Sequence, residues 1–181
     1  MAIDSRARAV VCLTGFMGSG KSTVARLLAR QIGWQHVDLD KRIVEAANQT
    51  IPEIFAKHGE PEFRRIEREQ LLRILGEAAS QALPRLVSLG GGTIAQPHNL
   101  ASLRQAGAVL IWLHCPVEDL LKRIAHIRDR PLFRDEASFR RLYEERLPSY
   151  QLSNYWVESN IEPLRVVEQI LSLGIFPKVI A

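Results

Sequence analysis

The chain has 181 residues, 46% of them hydrophobic and 24% charged, which is ordinary for one globular domain. Its net charge of +4 suggests anionic ligands, small phosphorylated molecules or nucleic acid, although such a charge is more often that of a basic protein with no special partner. No apolar run approaches the roughly 20 residues of a membrane span, and the five residues after Arg8 are too few for a signal peptide. Cys12 and Cys115 lie in or beside apolar runs, which predicts buried, reduced thiols and a cytoplasmic protein.

Strands and helices are predicted to alternate along the chain. Short apolar runs predict strands, and apolar residues at helical spacing predict helices between them. The strands are expected at 9–13, 36–39, 85–89, 108–114 and 156–157, and the helices within 24–32, 41–83, 99–105, 117–124, 137–146 and 163–174. This order predicts an α/β three-layer sandwich, with helices on both faces of a five-stranded parallel sheet and ligands at the carboxyl ends of its strands.

No linker divides the chain, so residues 1–181 are interpreted as one domain. Two charged segments are interpreted as insertions on its core: one at about 41–83, and one at about 126–138 that is broken by Pro131. Polar motifs follow three of the predicted strands, which places the expected site at that edge of the sheet.

The first of these motifs is a phosphate-binding loop. Gly15, Gly20, Lys21 and Ser22 fit the pattern G-x-x-x-x-G-K-S, with a predicted strand before it and an amphipathic helix after it. Its glycines turn backbone N–H groups inward, the lysine adds a charge for the β- and γ-phosphates, and the serine hydroxyl can coordinate Mg²⁺. A glycine-rich turn without a ligand is the alternative.

The remaining motifs favour a small-molecule kinase over other nucleotide-binding classes. We find no Asn/Thr-Lys-x-Asp element, which guanine recognition would usually need, so ATP is the expected nucleotide. The strands at 85–89 and 108–114 end without the carboxylate that a motor ATPase typically places there. A kinase instead needs an acceptor pocket and a closing lid.

Three segments could form the acceptor pocket. Asp38 and Asp40, two apart after a strand, would point to the same face of an extended backbone, although either could cap a helix. Arg64 shares a helix face with Glu67 and could bind a carboxylate, unless this helix only carries surface ion pairs. The triple glycine at 90–92 would let backbone donors approach a ligand closely, or would be a plain flexible loop.

Together these motifs resemble the shikimate kinase family. The stretches "GFMGSGKST", "DLD", "FRRIE", "LGGG", "RPL" and "ERLPSY" occur in that family's order and approximate spacing over nearly the whole chain. The resemblance implies a P-loop kinase fold, with a substrate-binding insertion and a lid. The implied reaction is ATP-dependent phosphorylation of the shikimate 3-hydroxyl, on the route to chorismate and the aromatic amino acids.

The resemblance also implies a role for each matching residue. Asp40 would bind the shikimate hydroxyls and act as the base, while Lys21 and the lid residue Arg130 would neutralise the transferring phosphoryl group. The shikimate carboxylate would be bound by Arg64 and Arg146, and Gly91 and Gly92 would make backbone contacts to shikimate. The nucleotide would be bound by Gly18, Ser19, Gly20, Ser22, Thr23 and Arg123. Mg²⁺ would be bound by Ser22 and Asp38.

The family resemblance suggests a monomer whose partner is a small molecule, without nucleic acid or membrane. The sequence leaves two alternative functions open. One is another small-molecule kinase of the same architecture, and the other is an ATP-binding regulatory module without activity.

Overall fold

The computed structural model describes residues 10–81, 83–125 and 135–176. Within them, five strands form one parallel sheet, as the sequence predicts, and their order is β2-β3-β1-β4-β5. The strands are β1 (Val10–Thr14), β2 (Gln35–Asp38), β3 (Arg85–Ser88), β4 (Val109–His114) and β5 (Tyr155–Glu158). Because all the strands are parallel, their carboxyl ends meet at one edge of the sheet.

Helices cover both faces of the sheet, which completes the predicted three layers. They are α1 (Lys21–Ile32), α2 (Leu39–Ala47), α3 (Ile51–Gln81), α4 (Pro97–Gln105), α5 (Val117–Ile124), α6 (Glu136–Tyr150) and α7 (Pro163–Ser172). The apolar residues of β1 alternate between the two layers: Val11 and Leu13 pack with α1 and α7, whereas Val10 and Cys12 pack with the remaining helices. The central strands β1, β3 and β4 therefore have buried apolar residues on both sides, as is typical of parallel sheets.

Two helices differ from the sequence prediction. Helix α3 bends at Gly59, whose φ of 77° is not helical, and Pro61 opens the segment that follows. Helix α6 continues past the predicted end at 146 to Tyr150, although it contains Pro148. Its N-terminus is fixed by a capping box between Asp135 and Ser138.

The predicted lid at about 126–138 is described only from residue 135 onward. That part is the N-cap and first turn of α6, and Arg130 lies outside the described residues. Cys12 and Cys115 are both buried and free, which confirms the predicted state of these thiols. No helix in the described part of the chain is long and apolar enough to cross a membrane.

Candidate active site

The loop between β1 and α1 has the geometry of an anion-binding site. Gly18 and Gly20 have φ angles of 84° and 87°, which residues with a side chain rarely adopt. Gly20 is also the N-cap of α1 and supplies no side-chain hydrogen bond. The N–H groups of the first helical turn are therefore left for an anion or water.

Lys21 lies over this loop. Its Nζ donates hydrogen bonds to the carbonyl oxygens of Gly15, at 2.9 Å, and Phe16, at 3.0 Å. These two bonds hold the ammonium group close to the uncapped end of α1. The loop and the helix terminus thus offer a point charge together with backbone donors, as phosphate recognition requires.

A pocket beside the loop, here called the loop pocket, brings together most of the predicted nucleotide-binding residues. Its lining residues are Met17, Gly18, Gly20, Lys21, Ser22, Thr23, Asp38, Asp40, Leu89, Gly91 and Arg123. The Arg123 guanidinium donates to the carbonyl oxygens of Gly18, at 3.2 Å, and Ser159, at 2.7 Å. Arg123 therefore links α5 to the phosphate loop and to the loop after β5.

Ser19 is a predicted nucleotide-binding residue that does not line the loop pocket. It is buried, and a Cβ on Gly15 would lie 2.9 Å from its Oγ. The hydroxyl therefore faces the inside of the loop. Only the backbone of Ser19 could contribute to binding from this position.

The sequence argument for Asp38 and Asp40 was wrong in its geometry. The strand ends at Asp38, and Asp40 lies in the first turn of α2 rather than on an extended backbone. Asp38 is the N-cap of this helix: its carboxylate accepts from the Lys41 backbone N–H at 3.3 Å and from the Ser88 hydroxyl at 3.0 Å. The capping alternative thus applies to Asp38, yet both carboxylates line the loop pocket.

A second pocket, here called the arginine pocket, contains the predicted acceptor-binding residues. It is lined by Met17, Asp40, Ile51, Phe55, Phe63, Arg64, Glu67, Gly90, Gly91, Gly92 and Arg146. Apolar side chains thus form one part of the wall, and two guanidinium groups, two carboxylates and a glycine backbone form the rest. Such a lining suits a small polar anion with an apolar body.

Arg64 enters this pocket from α3 as part of an ion-pair network. Its side chain is 14% exposed and lies 2.9 Å from both Glu60 and Glu67. Burial lowers its pKa, but the two carboxylates outweigh burial and raise the pKa of Arg64 above the usual value. The neighbouring Arg65 is 61% exposed and pairs with Glu62 and Glu69, so the surface ion-pair alternative describes Arg65 and not Arg64.

Glu67 is a site residue that the sequence analysis did not select. It is fully buried, and it accepts a hydrogen bond from the Thr93 hydroxyl at 2.7 Å in addition to its ion pair with Arg64. The spacing of three residues from Arg64 was the available signal, but spacing does not reveal burial. The carboxylate fixes the Arg64 guanidinium in the pocket wall.

Arg146, on α6, is a buried cation in the same pocket. Among the described residues no carboxylate lies within 4.0 Å of it, and its guanidinium lies 5.7 Å from the centre of the Phe16 ring. Burial is the main cause of its lowered pKa, and the nearby charge of Arg64 adds to that effect. A buried guanidinium without an ion-pair partner is unfavourable, so the site is suited to an anionic ligand.

The triple glycine at 90–92 lets these charged groups come close to the backbone. A Cβ on Gly92 would lie 2.7 Å from Arg64 Nη2 and 3.1 Å from Arg146 Nη2, and one on Gly90 would lie 3.1 Å from the Asp40 and Glu67 carboxylates. Any side chain at position 92 would displace the guanidinium groups. The close packing of this site therefore favours glycine at these positions, and it argues against the alternative of a plain flexible loop.

The two pockets adjoin each other. Met17, Asp40 and Gly91 line both of them, so Asp40 stands between the phosphate loop on one side and the two arginines on the other. A parallel sheet with a phosphate loop and an adjoining acceptor pocket defines the class of P-loop kinases that act on small molecules.

Comparison with known proteins identifies the family within that class. A family model for shikimate kinase matches residues 17–173. A shikimate kinase from Geobacter metallireducens is 45% identical over 132 residues, which cover 73% of this chain and 70% of that protein. One from Caldanaerobacter subterraneus is 34% identical over 165 residues, 89% of this chain and 93% of that protein. The chain therefore belongs to the shikimate kinase family.

Solved structures agree with this assignment. Shikimate kinase from Acinetobacter baumannii in complex with shikimate has a TM-score of 0.83 at 33% identity, covering 91% of this chain and 92% of that chain. A gluconokinase from Sinorhizobium meliloti has a TM-score of 0.63 at 17% identity, covering 94% of this chain and 93% of that chain. The second likeness concerns the fold alone.

Proposed function

We propose that this protein transfers the γ-phosphoryl group of ATP to the 3-hydroxyl of shikimate, giving shikimate 3-phosphate and ADP on the route to chorismate and the aromatic amino acids. The observation that carries the proposal is the buried Arg146, which has no carboxylate within 4.0 Å among the described residues. It lies in a pocket that shares Asp40 with the loop pocket. A small carboxylic acid bound to Arg146 would place its hydroxyl groups toward Asp40.

On the acceptor side, Arg64 and Arg146 bind the shikimate carboxylate, because guanidinium groups pair with carboxylates through two parallel hydrogen bonds. Gly91 and Gly92 contribute backbone contacts. Asp40 accepts a hydrogen bond from the reacting hydroxyl and takes its proton as the oxygen attacks phosphorus. The position of Asp40 in both pockets supports this role.

On the nucleotide side, the loop and Thr23 would hold the phosphates, and Arg123 would stack near the adenine. Lys21 stabilises the charge of the transferring phosphoryl group. Arg130, which lies outside the described residues, would add a second positive charge from the lid. Phosphoryl transfer depends mainly on positioning and on charge stabilisation, which backbone N–H donors and positively charged side chains supply.

Mg²⁺ is the proposed metal, held through Ser22 and Asp38. The donors fit, because a hydroxyl and a carboxylate line the same pocket, and Mg²⁺ often uses one or two protein oxygens beside phosphate and water. The described residues contain no group of three or more His, Cys, Asp or Glu that could hold a metal ion by themselves. When bound, Mg²⁺ would neutralise phosphate charge.

We further propose that the protein acts as a cytoplasmic monomer on small molecules, without nucleic acid or membrane partners. The Acinetobacter baumannii structure with shikimate supports the small-molecule acceptor. Light scattering of the purified protein at micromolar concentration tests the monomer, and a mass twice that of the chain would contradict it.

The activity is tested by coupling ADP release to a spectrophotometric readout, with shikimate, gluconate, related cyclic polyols or no acceptor. We expect turnover with shikimate, and only slow hydrolysis without an acceptor. ATP consumption that shikimate does not accelerate would contradict the proposal. Faster turnover with gluconate would point to another kinase of the same architecture.

A further inference from the structure

The buried Tyr150, the last residue of α6, lies behind the arginine pocket without lining it. Its side chain is fully buried, and its ring stacks on Trp112 with centroids 5.9 Å apart and an interplanar angle of 21°. This packing fixes the direction of the phenol. The hydroxyl donates to Gly91 of the arginine pocket, and the Arg146 guanidinium approaches the same residue, since a Cβ on Gly91 would lie 3.5 Å from Arg146 Nη1.

The Tyr150 hydroxyl donates its hydrogen bond to the glycine segment. The acceptor is the carbonyl oxygen of Gly91, at 2.5 Å. A phenol has a single hydrogen to donate, so only oxygen lone pairs remain for any other neighbour. The Arg146 guanidinium, which lies beside Gly91, carries only donors. Toward Arg146 the Tyr150 hydroxyl can therefore act only as a hydrogen-bond acceptor.

We propose that Tyr150 is a positioning residue for substrate binding: by donating to Gly91 it directs its lone pairs at Arg146 and holds that guanidinium in the orientation that binds the acceptor carboxylate. The inference rests on the proposed function of Arg146. It explains how a buried cation is kept in place where no carboxylate within the described part of the chain holds it. It also connects α6 to Gly91, which lines both pockets.

The test is Tyr150→Phe, which removes one oxygen atom and keeps the stacked ring. Tyr143→Phe is a matched control on the same helix, because the Tyr143 hydroxyl also donates to a backbone carbonyl, that of Cys115 at 3.4 Å, but lines neither pocket. We expect Tyr150→Phe to raise KM for shikimate about tenfold, which corresponds to roughly 1.4 kcal/mol. KM for ATP and kcat should change less than about twofold, because the lost interaction with the carboxylate-binding group is equally strong in the ground state and the transition state. Tyr143→Phe should leave all three constants unchanged.

A double-mutant cycle separates positioning from general stabilisation. In an Arg146→Lys background, Tyr150→Phe should raise KM for shikimate by less than about threefold, because its effect acts through Arg146. Calorimetric titration of shikimate without ATP should give the same pattern in Kd.

Several results would overturn the positioning role. They are an unchanged KM in Tyr150→Phe, an equal rise in both backgrounds, or a variant that does not fold, since the hydroxyl would then serve the fold. These results differ from failure of the proposed function, which would appear as a wild-type protein that does not respond to shikimate.

Discussion

Asp40 is the residue on which the proposed chemistry depends most. It lines both pockets, and its carboxylate lies close enough to position 90 that a Cβ there would be 3.1 Å from Oδ1. Its place in the first turn of α2 fixes it on a regular element rather than on a loop. Catalytic groups supported in this way are held more accurately than groups on loops.

Replacing Asp40 by Asn tests the base. The amide keeps the shape of the side chain but cannot take the proton, so kcat should fall at least about 100-fold while the fold is retained. Turnover by ADP release and thermal unfolding measure the two effects. Glu45→Gln, an exposed change on the same helix, should leave both unchanged. Substantial activity in Asp40→Asn would remove Asp40 from the chemistry.

Arg64 and Arg65 form a natural pair of test sites on α3, since they are adjacent but differ in burial. Arg64→Ala removes one of the two guanidinium groups proposed to bind the acceptor carboxylate, and loss of a buried charge partner costs on the order of 2–5 kcal/mol. We expect KM for shikimate to rise at least about 30-fold, with a much smaller change in KM for ATP.

Arg65→Ala removes only surface ion pairs, which contribute about 0–1 kcal/mol. Steady-state kinetics with each substrate varied in turn should therefore show nearly wild-type constants for this variant. Equal losses for shikimate and ATP in Arg64→Ala would argue that Arg64 supports the structure instead of the acceptor.

At the scale of elements, the segment 90–92 places a backbone where side chains would block the two guanidinium groups. Gly92 has a φ of −114°, which any residue can adopt, so the demand for glycine arises from close approach and not from backbone strain. A methyl group there would meet Arg64 Nη2 at 2.7 Å.

Gly92→Ala should therefore impair substrate binding by displacing Arg64 and Arg146. We expect a rise of about tenfold or more in KM for shikimate, consistent with a lost charged hydrogen bond of about 1.5–3 kcal/mol. Gly76→Ala is the control: a Cβ there meets nothing within 4 Å, and the site lies within α3. It should raise stability by about 0.5–1 kcal/mol without changing KM. A Gly92→Ala enzyme with wild-type KM would contradict this account of the loop.

At the scale of the whole molecule, the sheet buries Cys12 completely between its helical layers. Burial raises the pKa of this thiol to about 12, whereas the unfolded chain has the ordinary value of 9.0. Between these values the unfolded chain loses a proton that the folded protein keeps. Stability contributed by the neutral thiol is thus complete below pH 9 and declines as pH rises toward 12.

The free energy of unfolding should accordingly fall above about pH 9, with Cys12 contributing a slope of up to ~1.4 kcal/mol per pH unit. Urea unfolding between pH 8 and about pH 11 measures this slope, and Cys12→Ala should show a shallower one. The substitution also leaves a small cavity, but that loss does not depend on pH. Equal slopes in the two proteins would show that other groups cause the alkaline decline.

The pattern of amino acids along the chain predicts the order of strands and helices, the phosphate loop and the buried state of both cysteines. These follow from local periodicity, from glycine positions and from apolar neighbours, which are all visible within a few residues. The family resemblance supplied the two arginines and the glycine segment, which spacing alone left open.

The tertiary structure alone reveals which charges have an ion-pair partner and which do not. It made Asp38 a helix cap, buried Glu67 against Arg64, and left Arg146 beside Tyr150 with no carboxylate within 4.0 Å in the described part of the chain. The physical reason is that desolvation and pairing depend on atoms a few ångströms away in space. Here those atoms come from α3, α6 and the loop after β3, which are far apart along the chain.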